Sequence, residues 1–239
     1  MFCPQSSVFR PLKVLCIFLA TKLGRTNPNG MNDLILVIGN KNLSSWSFRP
    51  WILLKQAGIQ FQEVSLKLYT PEYASVIDQY SPSRKVPVLQ DGDLLVWDSL
   101  SISEYIAEKF PQLWPGDPSI RAKARSVSAE MHSGFAGLRS NLSMNFTGRI
   151  KGKEIPPEAQ KDIDRIIQIW TENLQSFGGP FLFGKDFTVA DAFYAPVVSR
   201  FITYGVTLPD LASRYVRTIS ELSAYKEWEA GAAKELQGE

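Results

Sequence analysis

Three short segments carry most of the polar chemistry in this chain of 239 residues. The first, Asn42-Leu43-Ser44-Ser45-Trp46-Ser47, stands directly ahead of an amphipathic stretch. At the mouth of a helix, free N–H groups and the helix dipole favour an anion, and nearby hydroxyls can donate to it. Serines there also serve as plain helix caps, so spacing leaves both roles open. The second, Ser81-Pro82-Ser83-Arg84-Lys85-Val86-Pro87-Val88-Leu89, puts a proline at the head of a strand. At a sheet edge, a cis Val86–Pro87 bond turns the Val86 amide and carbonyl outward, ready to pair with an extended peptide. The third, Asp98-Ser99, opens a helix: Asp98 suits an ammonium, and Ser99 with its neighbouring N–H groups suits a carboxylate. Capping is again the simpler role for both.

What is missing narrows the chemistry. The only cysteines are Cys3 and Cys16 and the only histidine is His132, too few for a Cys/His zinc site. No metal is expected. A chain without cysteine after Met31 has no thiol redox chemistry of its own, so a thiol reaction needs a thiol brought in. A free thiol titrates near ~8.5, and a hydroxyl donor beside a helix N-terminus shifts it toward the nucleophilic anion. A net charge of +2, from 26 basic and 24 acidic residues spread along the chain, gives no nucleic-acid footprint. The run Val14 to Ala20 is shorter than the ~20 apolar residues of a membrane span, and no A-x-A-like cleavage site follows it. Residues 1–30 read as a disordered extension or the product of an upstream start. The N-x-S/T matches at Asn42, Asn141 and Asn145 matter only in a secreted protein.

The elements that must position these segments follow from periodicity. Leu34 to Gly39 is a continuous apolar strand, Trp46 to Ala57 an amphipathic helix closed by Gly58, and Phe61 to Leu66 a second strand. A helix crossing between neighbouring strands favours parallel pairing. Val86 to Gln90 and Leu94 to Trp97 form a hairpin around Asp91-Gly92, and a helix runs from Asp98-Ser99 to about Lys109. The order βαβ then ββα is thioredoxin-like. It occupies residues 31–112 and is followed by an all-α unit over 117–239 after the Pro/Gly-rich linker Leu113 to Pro118. Helices are expected near 118–145, 157–177 and 188–203, with two shorter ones after Pro209 and a break at Gly178-Gly179-Pro180. Thr188 and Asp191 read as a capping box, with Phe187 placed to pack on Ala192.

Four motifs in this order resemble the cytosolic glutathione transferases, from about residue 32 to 236. SSWSFRPW is similar to the serine motif of the zeta and tau-like branches, whose first serine lies five residues before an arginine, as Ser44 does before Arg49. The resemblance implies Ser44 as the catalytic hydroxyl. It also implies a cis Pro87, with the Val86 main chain and Lys85 on the glutathione backbone and glycyl end, and Asp98 with Ser99 on the γ-glutamyl end. Asp98 replaces the family's usual Glu or Gln and is one methylene shorter.

The resemblance further implies that the second substrate sits against the first long helix of the all-α unit. Met131, Phe135 and Leu138 are spaced there for one helical face, which serves equally as core, and Gly134 or Gly137 offers room. Arg139 is the cationic candidate for an anionic substrate, and His132 is assigned no catalytic role. The expected reaction is attack of the glutathione thiolate on an electrophilic carbon. Alternatives are cis–trans isomerisation of a maleyl-type diacid with Arg49 and Arg139 on its carboxylates, peroxide reduction, or a non-catalytic binding protein. A cytoplasmic homodimer, with no nucleic acid and no membrane partner, completes the expectation.

Overall fold

The computed structural model describes residues 34–237. Cys3, Cys16, the apolar run 14–20 and the rest of residues 1–30 lie outside the described residues. The first unit is β1 (Leu34–Gly39), α1 (Ser45–Gln56), β2 (Gln62–Leu66), α2 (Pro71–Val76), β3 (Val88–Asp91), β4 (Leu94–Trp97) and α3 (Ser99–Lys109). Its sheet has the order β2-β1-β3-β4, with β1 and β2 parallel and the other neighbours antiparallel. This is the thioredoxin-like arrangement read from the sequence.

All six residues of β1 are buried because both faces of the sheet are covered. Leu34, Leu36 and Ile38 point into the main core; Ile35 and Val37 join Leu66, Ile77 and Val88 on the other side. That second core is roofed by α2, which sequence periodicity missed. None of its residues is buried, so no apolar stripe marks it; only its Thr70 cap and Pro71 at the first turn signal a helix. One expectation about β3 is corrected. It is not an edge strand but lies between β1 and β4.

The second unit consists of α4 (Pro118–Ser133), α5 (Ala136–Asn141), α6 (Pro157–Phe177), α7 (Val189–Tyr204), α8 (Asp210–Ser220) and α9 (Ser223–Gln237). The single helix expected over 118–145 is therefore two. Gly134 ends α4, and Phe135 takes a left-handed φ of 60° that redirects the chain into α5. The gap left by Gly137 is filled by backbone: an added Cβ would meet the Glu158 carbonyl oxygen at 2.5 Å. Gly134 is closed in the same way by Glu130 O at 2.8 Å. Neither glycine leaves room for a ligand.

The two units share one core. Phe48 and Trp51 of α1 pack on Trp228 of α9 at 4.8 and 5.0 Å between ring centroids, and Phe48 meets Phe146 edge-on at 5.3 Å. Aromatic side chains of this size each bury roughly 150–250 Å², so this cluster fixes α1, and the loop ahead of it, against the helical unit. At the start of α7, the Thr188/Asp191 capping box is complete. Among the described residues, no helix is long and apolar enough to cross a membrane and no cluster of acidic, His or Cys residues is arranged to hold a metal ion.

Candidate functional site

A cleft of about 530 Å³ opens between α1, the head of β3 and the start of α3, lined by Trp46, Ser83, Lys85, Val86, Pro87, Trp97, Asp98 and Ser99. Residues far apart in sequence meet here because β3 and β4 bring 85–87 and 98–99 to the end of the sheet where α1 begins. The Val86–Pro87 peptide is cis. The β-ladder starts only at Val88, so the Val86 N–H and C=O have no partner among the described residues. Their openness comes from this position at the end of the strand, since β3 is interior.

Asp98 holds a strained φ of +74° and caps α3, its Oδ1 accepting from Leu100 N at 2.8 Å and Ser101 N at 3.3 Å. The first-turn amide left over is that of Ser99. The Ser99 hydroxyl is turned inward, accepting from Arg49 Nη1 at 3.3 Å. Asp98 Oδ2 lies 3.3 Å from His132 Nε2 of α4, a contact that the sequence did not suggest. Burial is the main cause holding the His132 pKa below its usual value; Asp98 raises it, and Arg49 and Arg139 lower it further.

Ser44 and Ser45 do not line the cleft; each is 5% exposed and stands just before Trp46, which does line it. Ser44 is the N-cap of α1, its Oγ accepting from Ser47 N at 3.4 Å and donating to Ser47 Oγ at 2.7 Å. Ser47 Oγ also receives Gly39 N–H at 3.1 Å, tying the end of β1 to α1. The loop is clamped from the helical unit as well. Asn42 O accepts from Phe146 N at 3.1 Å, Glu235 accepts from Lys41 N at 2.7 Å and Asn42 N at 3.1 Å, and Trp228 Nε1 donates to Lys41 O at 2.8 Å. Arg200 of α7 donates to Ser45 Oγ at 3.2 Å.

Of the residues expected to face a second substrate, Met131 is fully buried and Phe135 is 7% exposed, and neither lines the cleft. Met131 faces the core from within α4, and the break after α4 turns Phe135 into it as well. Arg139 is half-buried, donating to Gly134 O at 3.0 Å and to Met131 O, with its guanidinium 4.8 Å from the Trp46 ring. Arg49 is buried between Trp46 at 4.3 Å and Phe193 at 4.7 Å and shares the Met131 carbonyl, so it too is withdrawn from the open cleft. Its Nε has no hydrogen-bond partner, and burial followed by the charges of Arg139 and Arg200 pushes its pKa well down. Arg200, His132 and Trp46 are the site residues that sequence reasoning passed over. For Arg200 a signal existed: it is a charge in the middle of the apolar run 189–204.

A thioredoxin-like sheet followed by an all-helical unit, with the cleft at the end of the sheet where α1 and α3 begin, defines the class of this protein. The family models described as the N-terminal and C-terminal domains of glutathione S-transferase match residues 43–109 and 130–231. The chain belongs to the glutathione S-transferase family of enzymes. It is 31% identical over 170 residues to maleylacetoacetate isomerase of Rattus norvegicus, covering 69% of this chain and 77% of that protein. It is 29% identical over 168 residues to a zeta-class glutathione S-transferase of Euphorbia esula, covering 67% and 73%. Among solved structures, a glutathione transferase homolog from Burkholderia gl BGR1 with bound glutathione superposes with a TM-score of 0.65 at 22% identity, covering 85% of this chain and 100% of that one. The tau-class enzyme of mango, Mangifera indica, gives 0.64 at 19%, covering 86% and 98%. At these identities the structural likeness shows the fold alone.

Proposed function

We propose that the chain binds glutathione along the cleft and uses its thiolate against an electrophilic small molecule, with activity of the glutathione transferase or maleylacetoacetate isomerase type. The observation that carries this reading is convergence: Lys85, Val86, Pro87, Asp98 and Ser99, from two separate segments, line one cleft beside the N-terminus of α1. The open Val86 N–H and C=O pair with the cysteinyl backbone of the tripeptide. Lys85 meets the glycyl carboxylate. Asp98 takes the γ-glutamyl ammonium, and the Ser99 N–H takes the neighbouring carboxylate. The sulfur then lies at the mouth of α1 near the Ser44-Ser45 pair, where the helix dipole and one serine hydroxyl favour the anion. In conjugation the thiolate pair forms a C–S bond while the leaving group departs with its bonding pair, giving a thioether. The test is calorimetric titration with glutathione followed by conjugation assays on a panel of electrophiles. No heat of binding and an unmoved thermal midpoint at saturating glutathione reject the reading.

A second reading, glutathione-dependent cis–trans isomerisation of a maleyl-type diacid, is favoured by the likeness to the rat isomerase. A diacid needs positive charge, and Arg49 and Arg139 lie behind Trp46, which lines the cleft, so they supply that charge from behind the ring and not from the cleft wall. Adding the thiolate to the double bond, rotating, and expelling it again consumes no glutathione. Turnover of a maleyl acid at constant thiol concentration distinguishes this chemistry from conjugation.

A further inference from the structure

We propose that Arg200 keeps the bound sulfur anionic by acting through Ser45, and that Ser45 rather than Ser44 offers its O–H to that sulfur. The inference rests on the glutathione site proposed above and adds the residue that makes it work.

Hydrogen-bond bookkeeping separates the two serines. The Ser44 proton is spent on Ser47 Oγ at 2.7 Å, within the chain of contacts that ties β1 to α1. Ser45 Oγ instead accepts from Arg200 Nη2 at 3.2 Å, and its own proton has no acceptor among the described residues. A hydroxyl whose oxygen is held by a cation is the stronger donor, because the charge draws electron density from the O–H bond. Only Ser45 combines a free proton with a charged partner.

Arg200 itself is an unusual residue to find in α7. It is 4% exposed, and its other donors go to neutral carbonyls, Nε to Leu142 O at 2.9 Å and Nη1 to Pro196 O at 3.3 Å. No carboxylate lies within ion-pair distance of it among the described residues. Desolvation by burial, with the charge of Arg139, pulls its pKa down to about 9, which leaves it a cation at neutral pH. The groups facing it are Arg49 of α1, Arg139 of α5 and Tyr204 of α7. A guanidinium buried among neutral acceptors and other cations is costly to maintain, and an anion placed at the far side of Ser45 relieves that cost. The purely structural alternative is that Arg200 only staples α7 to the 142–145 segment.

The test is thiolate titration of bound glutathione by ultraviolet absorbance on the full chain, in the parent, Arg200→Met, Arg200→Lys, Ser45→Ala, Ser44→Ala and the double variant Arg200→Met/Ser45→Ala. Glutathione affinity is measured separately at a pH where the thiol is neutral. Arg200→Met and Ser45→Ala each raise the thiolate midpoint by about one pH unit, a tenfold loss of anion at a fixed pH below the midpoint. The double variant moves it no further than the larger single change, Arg200→Lys restores part of the shift, and neutral-thiol affinity stays within about twofold. If Arg200→Met does not fold, Arg200→Gln, which keeps a donor but no charge, takes its place, and a midpoint equal to the parent's overturns the role of Arg200. A midpoint unmoved by Ser45→Ala, or moved more by Ser44→Ala, overturns the inference, as does an Arg200→Met protein that loses thermal stability but titrates like the parent. A parent protein that binds no glutathione at all fails earlier and refutes the proposed function itself.

Discussion

Asp191→Ala removes a single fully buried carboxylate on which the start of α7 depends. Asp191 Oδ1 accepts from Leu182 N at 2.9 Å and Tyr215 OH at 3.1 Å, and Oδ2 accepts from Thr188 N and Thr188 Oγ1, both at 2.9 Å. In the alanine variant the Thr188 hydroxyl can rotate to another partner, which leaves three buried donors unmatched. Each such donor costs roughly 1–3 kcal/mol. Against that stands the cost of holding a desolvated carboxylate, since burial outweighs these hydrogen bonds and raises the Asp191 pKa. The net loss is about 3 kcal/mol, the lower part of the summed range after this offset. For a chain of this size that lowers the thermal midpoint by roughly 6–12 °C. Differential scanning calorimetry reads the shift, and Asp191→Asn, which keeps one acceptor, falls between variant and parent. Well below the midpoint kcat/KM stays within about twofold, because the change is confined to the first turn of α7, far along the helix from Arg200, and the cleft draws no lining residue from that turn. A midpoint lowered by under about 2 °C would show that water or relaxation satisfies these donors, and would refute the reasoning.

Lys85→Ala raises the glutathione dissociation constant about tenfold while kcat at saturating glutathione changes little, because Lys85 grips the peptide and not the sulfur; an unchanged constant in calorimetry removes Lys85 from the site. Gly137→Ala destabilises by roughly 1–3 kcal/mol, since its Cβ at 2.5 Å from Glu158 O forces α5 away from α6. A denaturation midpoint equal to the parent's contradicts that close approach. The folded-state pKa of His132 is lowered, so the unfolded chain binds more protons between that value and about 6.5. Stability therefore falls as pH drops through that window and levels off below the folded value. His132→Gln flattens this segment of the profile of thermal midpoint against pH, and parallel profiles for variant and parent rule the linkage out.

Local pattern was enough for the strands, the hairpin and the caps, though not for α2 or for the interior place of β3, because each of those signals acts within a few residues. Asp91-Gly92 marked the β3–β4 hairpin, and Gly92 takes the positive φ of 61° that such a turn requires. The apolar run 34–39, the Ser44 cap and the Thr188/Asp191 box are all visible as they stand in the structure. Pattern failed where packing overrode it. Met131, Phe135 and Leu138 keep helical spacing across a break at the left-handed Phe135, and the close approach of α5 to α6 at Gly137 involves Glu158, a contact that no local pattern contains.

The sequence by itself determined the family likeness, the element order and the segments that converge at the cleft, since these depend on residue type, short spacing and chain order. Only the tertiary structure decided which polar groups are already engaged: the Ser44 proton on Ser47 and the Ser99 oxygen on Arg49, while Asp98 stays partly exposed beside His132. It also revealed Arg200 at Ser45, 155 positions away in sequence. Burial and hydrogen-bond occupancy are sums over neighbours that folding brings from distant parts of the chain, and no local pattern contains them.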